Sequence, residues 1–275
     1  MVRTLFFPSI TVALKLAFKA KILNTMSYFI VALIVIVLMV VEFSARQLAT
    51  VSLDVGISII RLTLPFIVVV LTQELFSKEF DKKLTLTSLT FPSTRATWFF
   101  SRATATFLMC AGLLVVMSII LAMIATYVDG TYKQATPIAL GMPYLTTLTF
   151  VGLDLLVIVA IASFLAVSSV TPSFVLIGTF GFVLIARSYT PIIELLKSNP
   201  YAISDYVNPE LYKDSLSMIS FILPDLGRLD VRMIALYDKM AFLPSDWPLL
   251  VLATLTYVLA ILCLSVWVLN KREFN

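Results

Sequence analysis

Long apolar runs separated by short stretches that hold most of the charge organise this chain. They fall at Met26 to Val41, Gly56 to Leu71, Ala103 to Tyr127, Leu145 to Ser169, Ser173 to Tyr189 and Pro248 to Leu269. Runs of this kind cross the roughly 30 Å of a bilayer's hydrocarbon core as helices. The pattern predicts an all-α integral membrane fold of six transmembrane helices, read as a single transmembrane domain over residues 1–275.

Residues 1–25 precede the first run. Within them Ile10 to Leu23 is amphipathic: Thr11, Lys15 and Lys19 recur every four residues on one face, and Val12, Leu16, Ala20 and Leu23 line another. That is the pattern of a helix lying in the membrane interface. Lysines interrupt any secretory-type apolar core and no small-residue cleavage site follows, so a signal peptide is not expected.

Lys and Arg counts in the short loops set the expected orientation. Arg3, Lys15, Lys19 and Lys21, then Lys78, Lys82, Lys83, Arg95 and Arg102, then Lys271 and Arg272 would share one side. Only Arg46 and Lys133 lie in the short loops of the other, eleven against two. Both termini are therefore expected in the cytoplasm, and residues 190–246 form the one sizeable extracytoplasmic segment. In it, Ser217 to Leu223 is a short apolar stretch stopped by Pro224. Asp230 is placed to cap a helix whose Met233, Leu236, Tyr237, Met240 and Ala241 share a face. Pieces this short cannot span, so a partly re-entrant outer segment before the last span is expected.

Composition narrows the function. Of 275 residues 60% are hydrophobic and 13% charged, with a mean hydropathy of +1.01, so the solvent is largely lipid. The net charge of +4 is dispersed over loops, and no nucleic-acid partner is indicated. The chain has no histidine, which removes His-ligated haem or zinc, Ser-His catalysis and His proton relays. No metal site or cofactor is expected in the chain. Cys110 and Cys263 sit inside apolar runs and read as buried small hydrophobes.

Two charges fall within spans, Arg61 in the second and Asp154 in the fourth. Charge at membrane depth is costly and faces the bundle interior or water. An Arg61–Asp154 ion pair, a substrate or proton site at Asp154, and a water-facing carboxylate of no special role are the three readings. Glu42 and Arg187 lie near outer span ends, where snorkelling is expected. Tyr28, Trp98, Tyr127, Tyr144, Trp247 and Trp267, at span ends, suit an interfacial aromatic belt. Gly178 with Gly181 and Ala162 with Ala166 have the spacing for close helix contact.

The stretch after the second span, residues 74–102, is charged yet rich in large apolar side chains. Glu74, Glu79 and Asp81 precede Lys82 and Lys83. Leu75, Phe76, Phe80, Leu84, Leu86, Leu89 and Phe91 follow one another up to Pro92-Ser93-Thr94-Arg95. So many apolar groups on a connecting segment call for a partner.

With its amphipathic N-terminal helix, this acidic-then-basic segment ending in Phe91-Pro92-Ser93-Thr94-Arg95, the short connection Val170-Thr171-Pro172 and the outer Leu223-Pro224-Asp225-Leu226, the chain resembles the ABC type-2 permease family. It departs from that pattern in having Asp81-Lys82-Lys83 where a glycine is common, and in the extra Thr94 of the turn.

The resemblance implies a permease subunit of an ABC transporter. It would be paired with a second permease chain, driven by two cytoplasmic ATPase subunits, and would export a substrate across or out of a bacterial inner membrane. ATPase coupling would fall on Glu74, Glu79, Phe80, Leu84, Leu89, Phe91, Pro92 and Arg95. The sequence has no G-x-x-x-x-G-K-[ST] loop, so ATP and Mg would be bound by the partner and this chain would not itself be an enzyme. An ion-gradient-driven transporter or channel, with Arg61 and Asp154 as working residues, and a membrane assembly scaffold are the alternatives.

Overall fold

The computed structural model describes residues 6–19, 22–44, 47–77, 94–131, 138–169, 171–198 and 224–271. Its helices are α1 (Phe6–Lys19), α2 (Ile22–Phe43), α3 (Leu48–Thr72), α4 (Arg95–Thr131), α5 (Met142–Ser168), α6 (Pro172–Ser198), α7 (Met233–Tyr237) and α8 (Trp247–Lys271). A π-helical turn, Gln73–Ser77, continues α3. Six of these helices are long and apolar enough to cross a membrane, as the hydrophobic pattern predicts. With the backbone polar groups satisfied inside each helix, such segments are stable in lipid where an irregular chain is not.

Burial sorts the six into centre and rim. Over their most apolar windows α3 is 67% and α5 72% buried, α4 is intermediate at 39%, and α2, α6 and α8 are each 22% buried. The rim helices turn outward the side chains that lipid would solvate, among them Val35 and Met39 of α2, Ile177 and Leu184 of α6, and Leu252 and Leu259 of α8. The centre accommodates close approach. Ala162 and Ala166 are fully buried, and a Cβ on Gly178 would come within 2.8 Å of Leu165 Cδ1, whereas Gly181 faces open space. The tightest approach is at Gly56 of α3, where a Cβ would sit 2.2 Å from Leu121 Cδ1 of α4.

The N-terminal helix differs in extent from the amphipathic stretch. It ends at Lys19 rather than continuing to Leu23, which lies in α2. The face that meets the bundle carries Ser9, Ala13 and Ala17, with both alanines fully buried and Ser9 Oγ 2.8 Å from Ser101 Oγ of α4. Val12 and Leu16 are exposed. Only small residues fit where two helix backbones run this close, so the bulky apolar ones point away from the protein, as an interfacial helix requires.

The described part of the outer segment, 224–246, folds into the bundle. Leu226, Leu229, Val231 and Ile234 are buried in a cluster with Phe150, Val157, Ala160 and Ile161 of α5 and Leu250 and Val258 of α8. Ala139 N–H donates to Ala235 O at 3.3 Å, tying α7 to the approach of α5. Asp238, in the left-handed region at φ 51°, ends α7, and a 3₁₀ turn at Met240–Phe242 follows. The expected common face does not form: Leu236 is buried while Met233, Tyr237 and Met240 are exposed. Ser217 to Leu223 lies outside the described residues.

Four of the six residues of the expected aromatic belt are exposed, Tyr28, Tyr127, Trp247 and Trp267. The last two, at opposite ends of α8, are separated by roughly 30 Å of helix, the thickness of the hydrocarbon core. Trp98 and Tyr144 are instead buried. Trp98 sits edge-on to Phe76, 5.6 Å between centroids, beneath the Arg102 guanidinium at 4.3 Å. Tyr144 turns inward because its hydroxyl donates to Ser118 O of α4 at 2.8 Å. Cys110 is buried as expected, but Cys263 faces out from the rim helix α8.

Candidate functional site

Halfway along the central helices lies a chain of alternating charges. Arg61 is about 20 Å along α3 from Leu48, and Asp154 about 18 Å along α5 from Met142, at 1.5 Å per residue. Arg61 Nε is 3.6 Å from Asp154 Oδ2, which also accepts from Arg187 Nη2 of α6 at 2.6 Å. On its other side Arg61 pairs through Nη1 with Asp230 of the outer segment. Asp230 Oδ2 lies 3.3 Å from Arg232 Nε, and Arg232 Nη1 reaches Asp54 Oδ1 at 3.0 Å and Ser58 Oγ at 2.6 Å. The order is Arg187, Asp154, Arg61, Asp230, Arg232, Asp54, and the charges balance.

Local sequence explains much of this. Asp54, Ser58, Arg61 and Pro65 are spaced by four, three and four residues, so they form one polar stripe along an otherwise apolar helix. Pro65 has no N–H, which leaves the carbonyl four residues earlier, that of Arg61, without a helical donor. Arg187 Nη1 supplies the donor at 3.1 Å. Arg61 Nη2 in turn donates to Leu226 O at 3.3 Å. Side-chain exposure falls from 48% at Asp54 and 34% at Arg232, through 22% at Asp230, to 9% at Arg61 and 2% at Asp154, so the chain leads from the surface inward.

The structure thus brings Arg61 and Asp154 together and adds partners that the sequence reading assigned elsewhere. Arg187 does not snorkel outward; the freed carbonyl and Asp154 draw it in. The N-cap position of α7 is Arg232, without a side-chain capping bond; Asp230, two residues earlier, accepts from Arg232 N–H through Oδ1 at 3.5 Å, and its carboxylate also pairs with Arg61. Glu42 is exposed at the end of α2, as expected. The stripe from Asp54 to Pro65 is the sequence signal for the missed partners. One buried oxygen, Asp154 Oδ1, and one nitrogen, Arg187 Nε, have no hydrogen-bond partner among the described residues.

A second constellation lies where α1, the start of α4 and the end of α8 meet. Glu74 sits half-buried in the π turn, beside Leu75 and Phe76, both buried. Phe76 packs on Trp98 and Phe99 of α4 at 5.6 and 5.8 Å, and Gln73 Nε2 donates to Pro172 O at the start of α6 at 3.0 Å. Arg95 Nη1 donates to Leu269 O and Asn270 O at the end of α8, each at 3.1 Å. Those carbonyls have no donor within their own helix, and the cation also suits the helix C-terminus. Glu79, Phe80, Leu84, Leu89, Phe91 and Pro92 lie outside the described residues.

Compared with known proteins, the chain matches no protein-family model and no curated protein.

Proposed function

We propose that this chain is the membrane-spanning permease subunit of an ABC transporter. It works beside a second permease chain in a bacterial inner membrane with both termini cytoplasmic, and exports its substrate using ATP hydrolysed by two partner ATPase subunits. One observation carries the reading: the segment between Glu74 and Arg95 is tied at both ends to four different helices. Its entry is fixed through Phe76 to α4 and through Gln73 to α6, directly after α3, and its exit through Arg95 to the end of α8. Force applied to such a segment by a partner moves α3, α4, α6 and α8 together, which is the requirement on a coupling element.

Purification in mild detergent from the native membrane, followed by mass spectrometry, tests the class. Recovery of a subunit with a phosphate-binding loop in equal numbers with this chain is expected, and a chain that arrives alone sinks the proposal. In the purified complex, Phe80→Asp with Leu84→Asp is expected to break assembly with the ATPase. Arg95→Gln is expected to leave ATP hydrolysis in place while transport falls.

The mid-depth charge chain supports a second reading, an ion-driven transporter, since intramembrane ionisable groups often line ion paths. Proton uptake by vesicles containing the chain alone, lost in Asp154→Asn, would favour it.

A further inference from the structure

The helices themselves place an unbalanced charge at mid-depth. Arg61 of α3 and Arg187 of α6 share one carboxylate, that of Asp154 of α5, leaving an excess of one positive charge. Arg232 and Asp54 neutralise each other at the outer margin. The missing negative charge comes from Asp230, on a segment that is not itself a spanning helix. An uncompensated buried charge is strongly destabilising, so segment 224–246 cannot leave its seat unless another anion takes over from Asp230.

We propose that Asp230 is a built-in carboxylate plug in an anion site at Arg61, whose excess positive charge arises because Arg187 shares Asp154 with it, and that the outer strap 224–246 lifts when a carboxylate or phosphate group of a ligand replaces Asp230. Guanidinium groups present planar forks of donors that match both anions. Arg187 keeps its Nε without a partner among the described residues, and Asp230 and Arg232 are partly exposed, so the site is open from the strap's side. The buried Leu226, Leu229 and Ile234 give the strap an apolar seat to return to. That the anion is cargo rests on the permease reading. The site itself does not, and it is tested in the chain alone.

The test is thermal unfolding of the full chain in phosphatidylcholine nanodiscs, comparing wild type, Asp230→Ala and the double variant Arg61→Gln/Asp230→Ala. Asp230→Ala is expected to unfold several degrees below wild type in chloride and to recover most of that loss when acetate or phosphate replaces chloride at constant ionic strength. Wild type, with its plug in place, and the double variant, with no excess charge, are expected to respond little. Nanodiscs containing phosphatidylglycerol separate the sources: recovery there without soluble anion identifies a lipid headgroup, and recovery only with acetate or phosphate identifies a free solute.

An Asp230→Ala variant as stable as wild type overturns the proposal. So does one that no anion restores, or whose response the double variant matches. If Asp230→Ala gives no folded protein in chloride, Asp230→Asn takes its place. If that also fails, purification in acetate decides, with folded protein supporting the site and its absence overturning it.

Discussion

Arg187 Nη1 donates to the backbone carbonyl of Arg61 at 3.1 Å, at the one position in α3 where Pro65 has removed the helical donor. A backbone defect in one helix thereby fixes the side chain of another, and that side chain carries its charge to Asp154.

Pro65→Ala restores an N–H to the Arg61 carbonyl and makes part of the Arg187 contact redundant. Arg187→Gln is therefore expected to cost less stability in a Pro65→Ala background than in wild type. A double-mutant cycle on unfolding in detergent would give a coupling of about 0.5–3 kcal/mol if the contact matters, and strict additivity would refute the link.

Asp154 serves two guanidinium groups, so among the described residues Asp154→Asn leaves Arg187 without a counter-charge and Arg61 with Asp230 alone. The loss expected is about 3–5 kcal/mol, as when one member of a buried ion pair is removed. Adding Arg187→Gln restores local neutrality and is expected to recover part of that loss. A double variant that is as unstable as the sum of the two singles would mean that charge balance does not govern the cluster.

Gly56 is required by proximity, because its backbone conformation is not of the left-handed kind that favours glycine. Gly56→Val would drive a branched side chain into Leu121, at a cost of about 1–3 kcal/mol as in other overpacked cores. Leu121→Ala in the same chain is expected to relieve it. Thermal unfolding of the single and double variants checks this, and an undiminished loss in the double variant would move the clash elsewhere.

At the strap's far end, the hydrogen bond from Arg228 holds the Asp246 carboxyl below its ordinary value of 3.8. A depressed carboxylate pKa contributes stability above the unfolded value and loses it as pH falls through the folded one. The anchor is therefore expected to be indifferent to pH between 6 and 8, taken as roughly the physiological range, and to loosen only in acid. Fluorescence of the adjacent Trp247, in a Trp98→Phe/Trp267→Phe background, should change at a lower pH in the parent than with Arg228→Gln. Coincident transitions would remove the pair from the account.

The candidate site was legible only in part. Arg61 and Asp154 stand out because charge is rare inside an apolar run, and that much needs no structure. Arg187 and Asp230 do not stand out. Arg187 lies close enough to a span end to read as an interfacial snorkel, and Asp230, a little before a short amphipathic stretch, reads as a cap. Trp98 and Tyr144 mislead for a similar reason: position along a span is legible, but the side of the helix that meets a neighbour is not. On α1 the apolar face of Val12 and Leu16 was legible, but not that Ala13 and Ala17 form the packed one, because in lipid bulky apolar side chains gain nothing by turning inward.

By itself the sequence determined that this is a six-span helical membrane protein with a short N-terminal apolar helix. Hydrocarbon admits only self-satisfied helices of a set length, and that requirement acts on each segment separately. The tertiary structure alone decided which helices are central, which side of each is buried, and that Asp230 completes the charge of Arg61 and Arg187. Those outcomes depend on distances between segments up to 178 residues apart, as between Asp54 and Arg232, and no local pattern encodes them.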